Sequence, residues 1–122
     1  MDYPASRLMS AATMAYGVFA AVKPRHLADN MNAAPAKEQT WDKVAYGYAL
    51  RDIPVSLAGV LGPGRAVEAA MKARIVSDLT DCLTLGVAAN DGRTRGKMMG
   101  LTLGWAALNA AALASDRRRL SR

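Results

Sequence analysis

From Met98 to Ser115 the chain runs through MMGLTLGWAALNAAALAS, 18 residues with no charged side chain. Eighteen apolar residues are the threshold for a membrane-span candidate, and as a helix they rise about 27 Å against a hydrocarbon core of about 30 Å. Such a segment must be wrapped by lipid or buried in a protein core. The rest of the chain has to be built around that choice.

Three further apolar blocks precede it. Leu8 to Val22 carries no charge and ends at Lys23-Pro24, where proline stops a helix. Arg7 and Lys23 flank it and can snorkel to make up its short length. Asp2 ahead of the single Arg7, with no small-x-small site after the block, makes it a poor cleaved signal peptide. The stretch Arg25 to Lys43 is polar and reads as a connection, closed by Trp41. Val44 to Leu61 is apolar apart from Arg51 and Asp52, and Gly62-Pro63-Gly64 ends it. A helix restarts near Arg65 with a polar first half, then an apolar half from Ile75 to Ala89 interrupted by Asp78 and Asp81, before the turn signal Asn90-Asp91-Gly92. No segment alternates with period two, and Ala, Leu and Met dominate, so the chain is expected to be all-α: one four-helix domain with apolar helices near 8–22, 44–61, 75–89 and 98–115.

Lipid or water is decided by insertion energetics. Ile75, Val76, Leu79, Leu83, Leu85 and Val87 together favour insertion by about 2 to 4 kcal/mol, whereas two central aspartates oppose it by about 5 to 7 kcal/mol. The second and third blocks therefore span only if their charges face inward and neutralise one another. Gly96, Gly100 and Gly104 recur on one face of the last helix, and Thr13, Gly17 and Ala21 on the first, a spacing that lets helices approach closely in lipid. The expectation is a four-helix transmembrane bundle in the cytoplasmic membrane, multi-pass, with the Gly100/Gly104 face open to a second copy; a soluble helical-bundle dimer is the competing architecture. Orientation is poorly encoded. With the amino end inside, the inner segments hold eight basic residues and the outer connections seven.

Composition excludes several classes. With 122 residues there is no room for a large multidomain enzyme, and the lone Cys82 rules out a disulfide scaffold. The net charge of +6 invites a nucleic-acid reading, but the basic residues flank the apolar blocks and the seven aromatics sit within or beside them, so no nucleic-acid partner is expected. No GxSxG, HExxH, P-loop, CxxC or dinucleotide glycine pattern occurs, and neither cofactor nor metal is expected. His26 reads as a solvated residue of the polar connection, without a second His or paired Cys for a transition metal. Cys82 reads as a packed residue with no nearby His to activate it.

What remains is Arg51-Asp52-Ile53-Pro54 in the second block with Asp78 and Asp81 in the third. Residues three apart share a helix face, so the two aspartates point the same way, and Arg74, four residues before Asp78, extends that face. Pro54 leaves the Leu50 carbonyl without its helical donor. One reading makes these residues a fastener, with Arg51 paired to an aspartate and Asp52 capping a helix that restarts at Ile53. The other makes Arg51 and Asp52 a binding pair and Asp78 and Asp81 a proton-sharing acid/base pair, because two neighbouring carboxylates repel and share a proton.

At these residues the chain resembles a family of small four-helix membrane proteins of bacteria and fungi that has no assigned activity. The resemblance rests on Lys23-Pro24 after helix one, Arg51-Asp52-Ile53 in helix two, and Asp78 or Asp81 in helix three; Gly96-Lys97 stands where many members carry His-Gly. It implies a membrane location and a four-helix fold, and leaves the activity open. The expected function is a small membrane protein with an internal Arg/Asp cluster that binds an apolar or lipid-like partner. A membrane-embedded enzyme using an aspartate on an apolar substrate is the alternative.

Overall fold

A computed structural model describes residues 2–122. The described chain is 88% helix with no strand, in five helices rather than the four expected. They are α1 (Pro4–Val22), α2 (Arg25–Asn30), α3 (Glu38–Leu61), α4 (Gly64–Ala88) and α5 (Gly92–Leu120), with one turn of 3₁₀ helix at Pro35–Lys37. The additional element is α2, inside the stretch expected to be only a connection. Leu27, Ala28 and Met31 are buried there, so apolar contact holds a short helix that local sequence does not require.

The long helices outrun the apolar blocks because their ends are set by caps and breakers, not by hydropathy. α5 starts at Gly92, six residues before the charge-free run, since the Asp91 side chain accepts the Thr94 N–H (2.7 Å) and hydroxyl (3.2 Å). The Thr94 N–H beside it holds the Asp91 carboxyl below its ordinary value. α3 passes through Pro54 without a break, so Asp52 lies mid-helix and caps nothing. Among the described residues only α5 is long and apolar enough by itself to cross a membrane, with a mean hydropathy of 1.3 over its best 18-residue window. The other three long helices do not reach that composition.

α1 packs on α3, α3 on α4, α4 on α5, and α5 returns to α1, each pair antiparallel. The buried residues of α1 are Ser6, Ser10, Thr13, Gly17 and Ala20, and those of α3 are Ala45, Ala49, Asp52, Ser56 and Gly59. Both sets step by four and three, the seven-residue repeat of helices that cross at about 20°. The seam residues are small, so the backbones lie close: a Cβ on Gly59 would fall 2.7 Å from Ser10 Cβ, and one on Gly17 2.9 Å from Ile53 Cγ1.

Polarity is inverted across the molecule. Asp52, Arg74, Asp78, Asp81, Asn109 and Asp116 are buried, while Leu8, Val22, Leu50, Leu61, Leu83 and Val87 are 67–84% exposed. The larger buried apolar side chains gather in two clusters, one at each end. Leu27, Met31, Ala45, Leu85, Ala89 and Met98 gather under α2 with Trp41 and Tyr48 against them. Tyr3, Val67, Met71, Ala112 and Leu113 close the opposite end. Ionic side chains fill the layer between.

Candidate functional site

The middle layer is built by α3, α4 and α5. Arg51 and Asp52 are neighbours on α3, and Arg51 Nε donates to Asp52 Oδ1 at 2.9 Å. The Arg51 guanidinium then reaches across to α4 and grips Asp81 with both terminal nitrogens, at 2.9 and 2.8 Å. This two-pronged geometry is the strong form of an arginine–carboxylate pair. Behind it, the Tyr48 ring lies 4.8 Å from the Arg51 guanidinium carbon, a cation–π contact.

Arg74 is the more deeply placed of the two guanidiniums, with its side chain 7% exposed against 31% for Arg51. From α4 it donates through Nε (3.0 Å) and Nη2 (2.5 Å) to Asp78 Oδ1, one turn along, and through Nη1 to Asp52 Oδ1 on α3. Its Nη2 also stands 3.8 Å from Asp81. All three expected aspartates and Arg51 are therefore brought together, and Arg74, expected only as an extension of one face, is the hub. Asn109 of α5 completes the layer. Its Nδ2 donates to the Trp105 carbonyl at 2.9 Å and lies 3.4 Å from Asp78 Oδ2. A charge-based reading passes over Asn109; the signal available was an amide in an otherwise apolar run.

Beside this cluster is a cavity of about 250 Å³. Arg51, Asp52, Arg74, Asp78 and Asp81 form its charged wall, while Leu85, Met98, Leu101 and Trp105 make the facing wall apolar. Tyr16 of α1 and Leu101 of α5 line it and are themselves 36% and 60% exposed, so the cavity reaches the outer surface between those helices. α2 lies over its end and supplies His26, which is partly buried rather than solvated. His26 Nδ1 is 2.7 Å from the Lys23 carbonyl, which can only accept, so Nδ1 donates there, and Nε2 is hydrogen-bonded to the Tyr16 hydroxyl at 3.0 Å. Phe19 packs against the same ring at 4.9 Å.

The remaining candidates fall elsewhere. Cys82 is buried against α5 with its thiol 3.9 Å from the Met99 carbonyl. Gly100 and Gly104 face outward with nothing within 4 Å of a Cβ built on either. Asp116, which precedes Arg117, Arg118 and Arg119 in the sequence, is buried: its two oxygens accept the Ala5 N–H (3.1 Å) and Ser6 N–H (2.6 Å), so α5 caps the first turn of α1. Arg7 fastens the same end by donating to the Val60 (2.8 Å) and Gly62 (3.0 Å) carbonyls at the close of α3.

Chemically, the cluster holds two permanent cations and three carboxylates in a water-poor layer next to an apolar chamber. Asp81 has both oxygens engaged by Arg51, which leaves it poorly placed to move a proton. Asp52 and Asp78 each have one oxygen taken by guanidinium and one less committed. Comparison with protein-family models, curated proteins and solved structures gave no match.

Proposed function

We propose that the chain is a multi-pass membrane protein whose four long helices all lie in the bilayer, and that its cavity binds a lipid-like molecule with an apolar body and a polar head. The observation that carries this is the inverted polarity. In water, exposing Leu8, Val22, Leu50, Leu61, Leu83 and Val87 while burying Asp52, Arg74, Asp78 and Asp81 in one layer would be doubly unfavourable. In lipid the same arrangement puts apolar residues against acyl chains and lets charges satisfy one another. Small seam residues support it as well, since close backbone approach is what holds helices together where the solvent is itself apolar.

α1, with 19 residues, rises about 28 Å, and the other long helices rise further, so each reaches across the core once its neighbours shield its charges. The chamber fits a partner of mixed polarity because one wall is charged and the other is Leu, Met and Trp. Washing membranes with alkaline carbonate tests location: retention in the pellet is expected, and release into the supernatant rejects a spanning bundle. Native mass spectrometry of the detergent-solubilised protein tests binding, with a co-purifying amphiphile expected that is lost on Leu101→Trp, a change that fills the chamber.

A further inference from the structure

The geometry points to a cationic head on the molecule that occupies this chamber: a primary or substituted ammonium on an apolar chain. The inference rests on the binding reading above and deepens it. Its basis is the state of each polar atom on the charged wall.

Three carboxylates stand against two guanidiniums, so the ionised cluster has one negative charge in excess. Every nitrogen of the two arginines already donates to a carboxylate, which engages three of the five N–H groups on each. Arg51 donates through Nε, Nη1 and Nη2 to carboxylates, and Arg74 does the same through its own three nitrogens. A phosphate, sulfate or carboxylate head would compete with aspartates for guanidiniums they already hold, and it would add to a negative excess. Three neighbouring hydroxyls are engaged: Thr13 donates to the Met9 carbonyl, Thr102 to the Met98 carbonyl, and Tyr16 is hydrogen-bonded to His26 Nε2.

Two carboxylate oxygens on the same wall are left with little or no partner. Asp52, 1% exposed and on the chamber wall, has both of its described hydrogen bonds on Oδ1, and none falls on Oδ2. Asp78 Oδ2 has only the long 3.4 Å contact from Asn109. Asn109, fully buried with its Oδ1 unpartnered, does not line the chamber and stands behind this wall, where it bears on the head only through Asp78. A group that donates several hydrogen bonds and carries one positive charge meets both needs at once, since an ammonium has donors and no acceptor. Trp105 and Tyr16 add ring faces of the kind that attract cations. A metal ion is the poorer occupant, because among the described residues no group of three or more His, Cys, Asp or Glu is placed to hold one. At about 250 Å³ the chamber admits the head and a few carbons, and the opening between Tyr16 and Leu101 leaves the rest of the chain in lipid.

The test compares three heads on one chain. The protein, carrying Trp41→Phe so that Trp105 is the remaining indole, is reconstituted in phosphatidylcholine nanodiscs and titrated at pH 7 with octylammonium, octanol and octanoate while Trp105 emission is followed. Octylammonium is expected to saturate at a concentration at least about tenfold below octanol, with octanoate giving no saturable change. Asp78→Asn should bring octylammonium and octanol together. If Trp41→Phe or Asp78→Asn does not fold, the same three-way comparison by native mass spectrometry on the unaltered chain decides the question. Equal affinity for octylammonium and octanol overturns the inference, showing that the cluster neutralises itself by protonating an aspartate and does not read the head. Preference for octanoate overturns it in favour of an anion site. Absence of saturable binding by all three removes the binding reading itself and the inference with it.

Discussion

Arg74 should matter more to stability than Arg51, although Arg51 belongs to the more conspicuous Arg-Asp pair. Replacing Arg74 with Met keeps most of the side-chain volume and removes the guanidinium from contact with Asp78 and Asp52, leaving two carboxylates without their deepest partner. Breaking a buried ion pair from one side costs about 3 to 5 kcal/mol, and with the Arg74 side chain only 7% exposed the full penalty applies. Arg51→Met removes as many bonds, but that side chain is 31% exposed, so Asp81 can be partly resolvated and about 1 to 3 kcal/mol is expected. Against a total stability of about 5 to 15 kcal/mol, the first change removes a large share of the fold's margin and the second a smaller one. Adding Asp78→Asn to Arg74→Met should recover about 1 to 3 kcal/mol, because it deletes the charge left stranded. Equilibrium unfolding in mixed dodecylmaltoside–dodecyl sulfate micelles, followed by far-ultraviolet circular dichroism, measures the unaltered chain, the two arginine variants, Asp78→Asn and the double change. If the Arg51 variant is as unstable as the Arg74 variant, or if the double change is strictly additive, Arg74 is not the hub of the layer.

Two glycines on different faces should respond oppositely to alanine: Gly59→Ala is expected to destabilise by about 1 to 3 kcal/mol through overlap with Ser10, and Gly104→Ala, with open space around it, to be neutral or stabilising by up to about 1 kcal/mol in the same unfolding assay. Asp116→Ala should weaken the start of α1 by about 1 to 2 kcal/mol, read as faster hydrogen exchange of the Ala5 and Ser6 amides with the α5 amides unchanged. The Asp91 cap predicts a pH dependence at the start of α5. Its carboxyl is held low by the Thr94 N–H, so its contribution is present above the ordinary aspartate range and is lost as pH falls below about 4; Thr94 exchange, corrected for intrinsic rate, should accelerate there and not in Asp91→Asn.

How far such a site can be read ahead of its structure depends on whether the relevant signal is local. Arg51, Asp52, Asp78 and Asp81 are visible in the chain because charges inside apolar blocks oppose insertion unless they meet. Asn109 and Asp116 give no such signal. An uncharged amide does not change a charge count, and an aspartate beside three arginines looks like part of a solvated end until α1 is seen to start next to it. His26 follows the same logic, since the short α2 that turns it over the chamber is held by Leu27, Ala28 and Met31 packing on distant helices. The α1–α3 seam was legible in principle: Ser6, Ser10, Thr13, Gly17 and Ala20 carry a seven-residue rhythm, but one written in small residues and hidden from a search for apolar stripes.

Asp116 also imposes an order of events on the ribosome. The amides it closes belong to residues 110 and 111 positions earlier, so the opening turn of the first helix is complete only when the last helix has been made and has come back beside it. Until then α1 must sit with those N–H groups bare and with Thr13 lacking the indole of Trp105. Nascent chains halted within α5 should therefore leave α1 loose, accessible to labelling at Ser6 and to proteolysis, and release of the final turn should protect both ends of the chain in a single step.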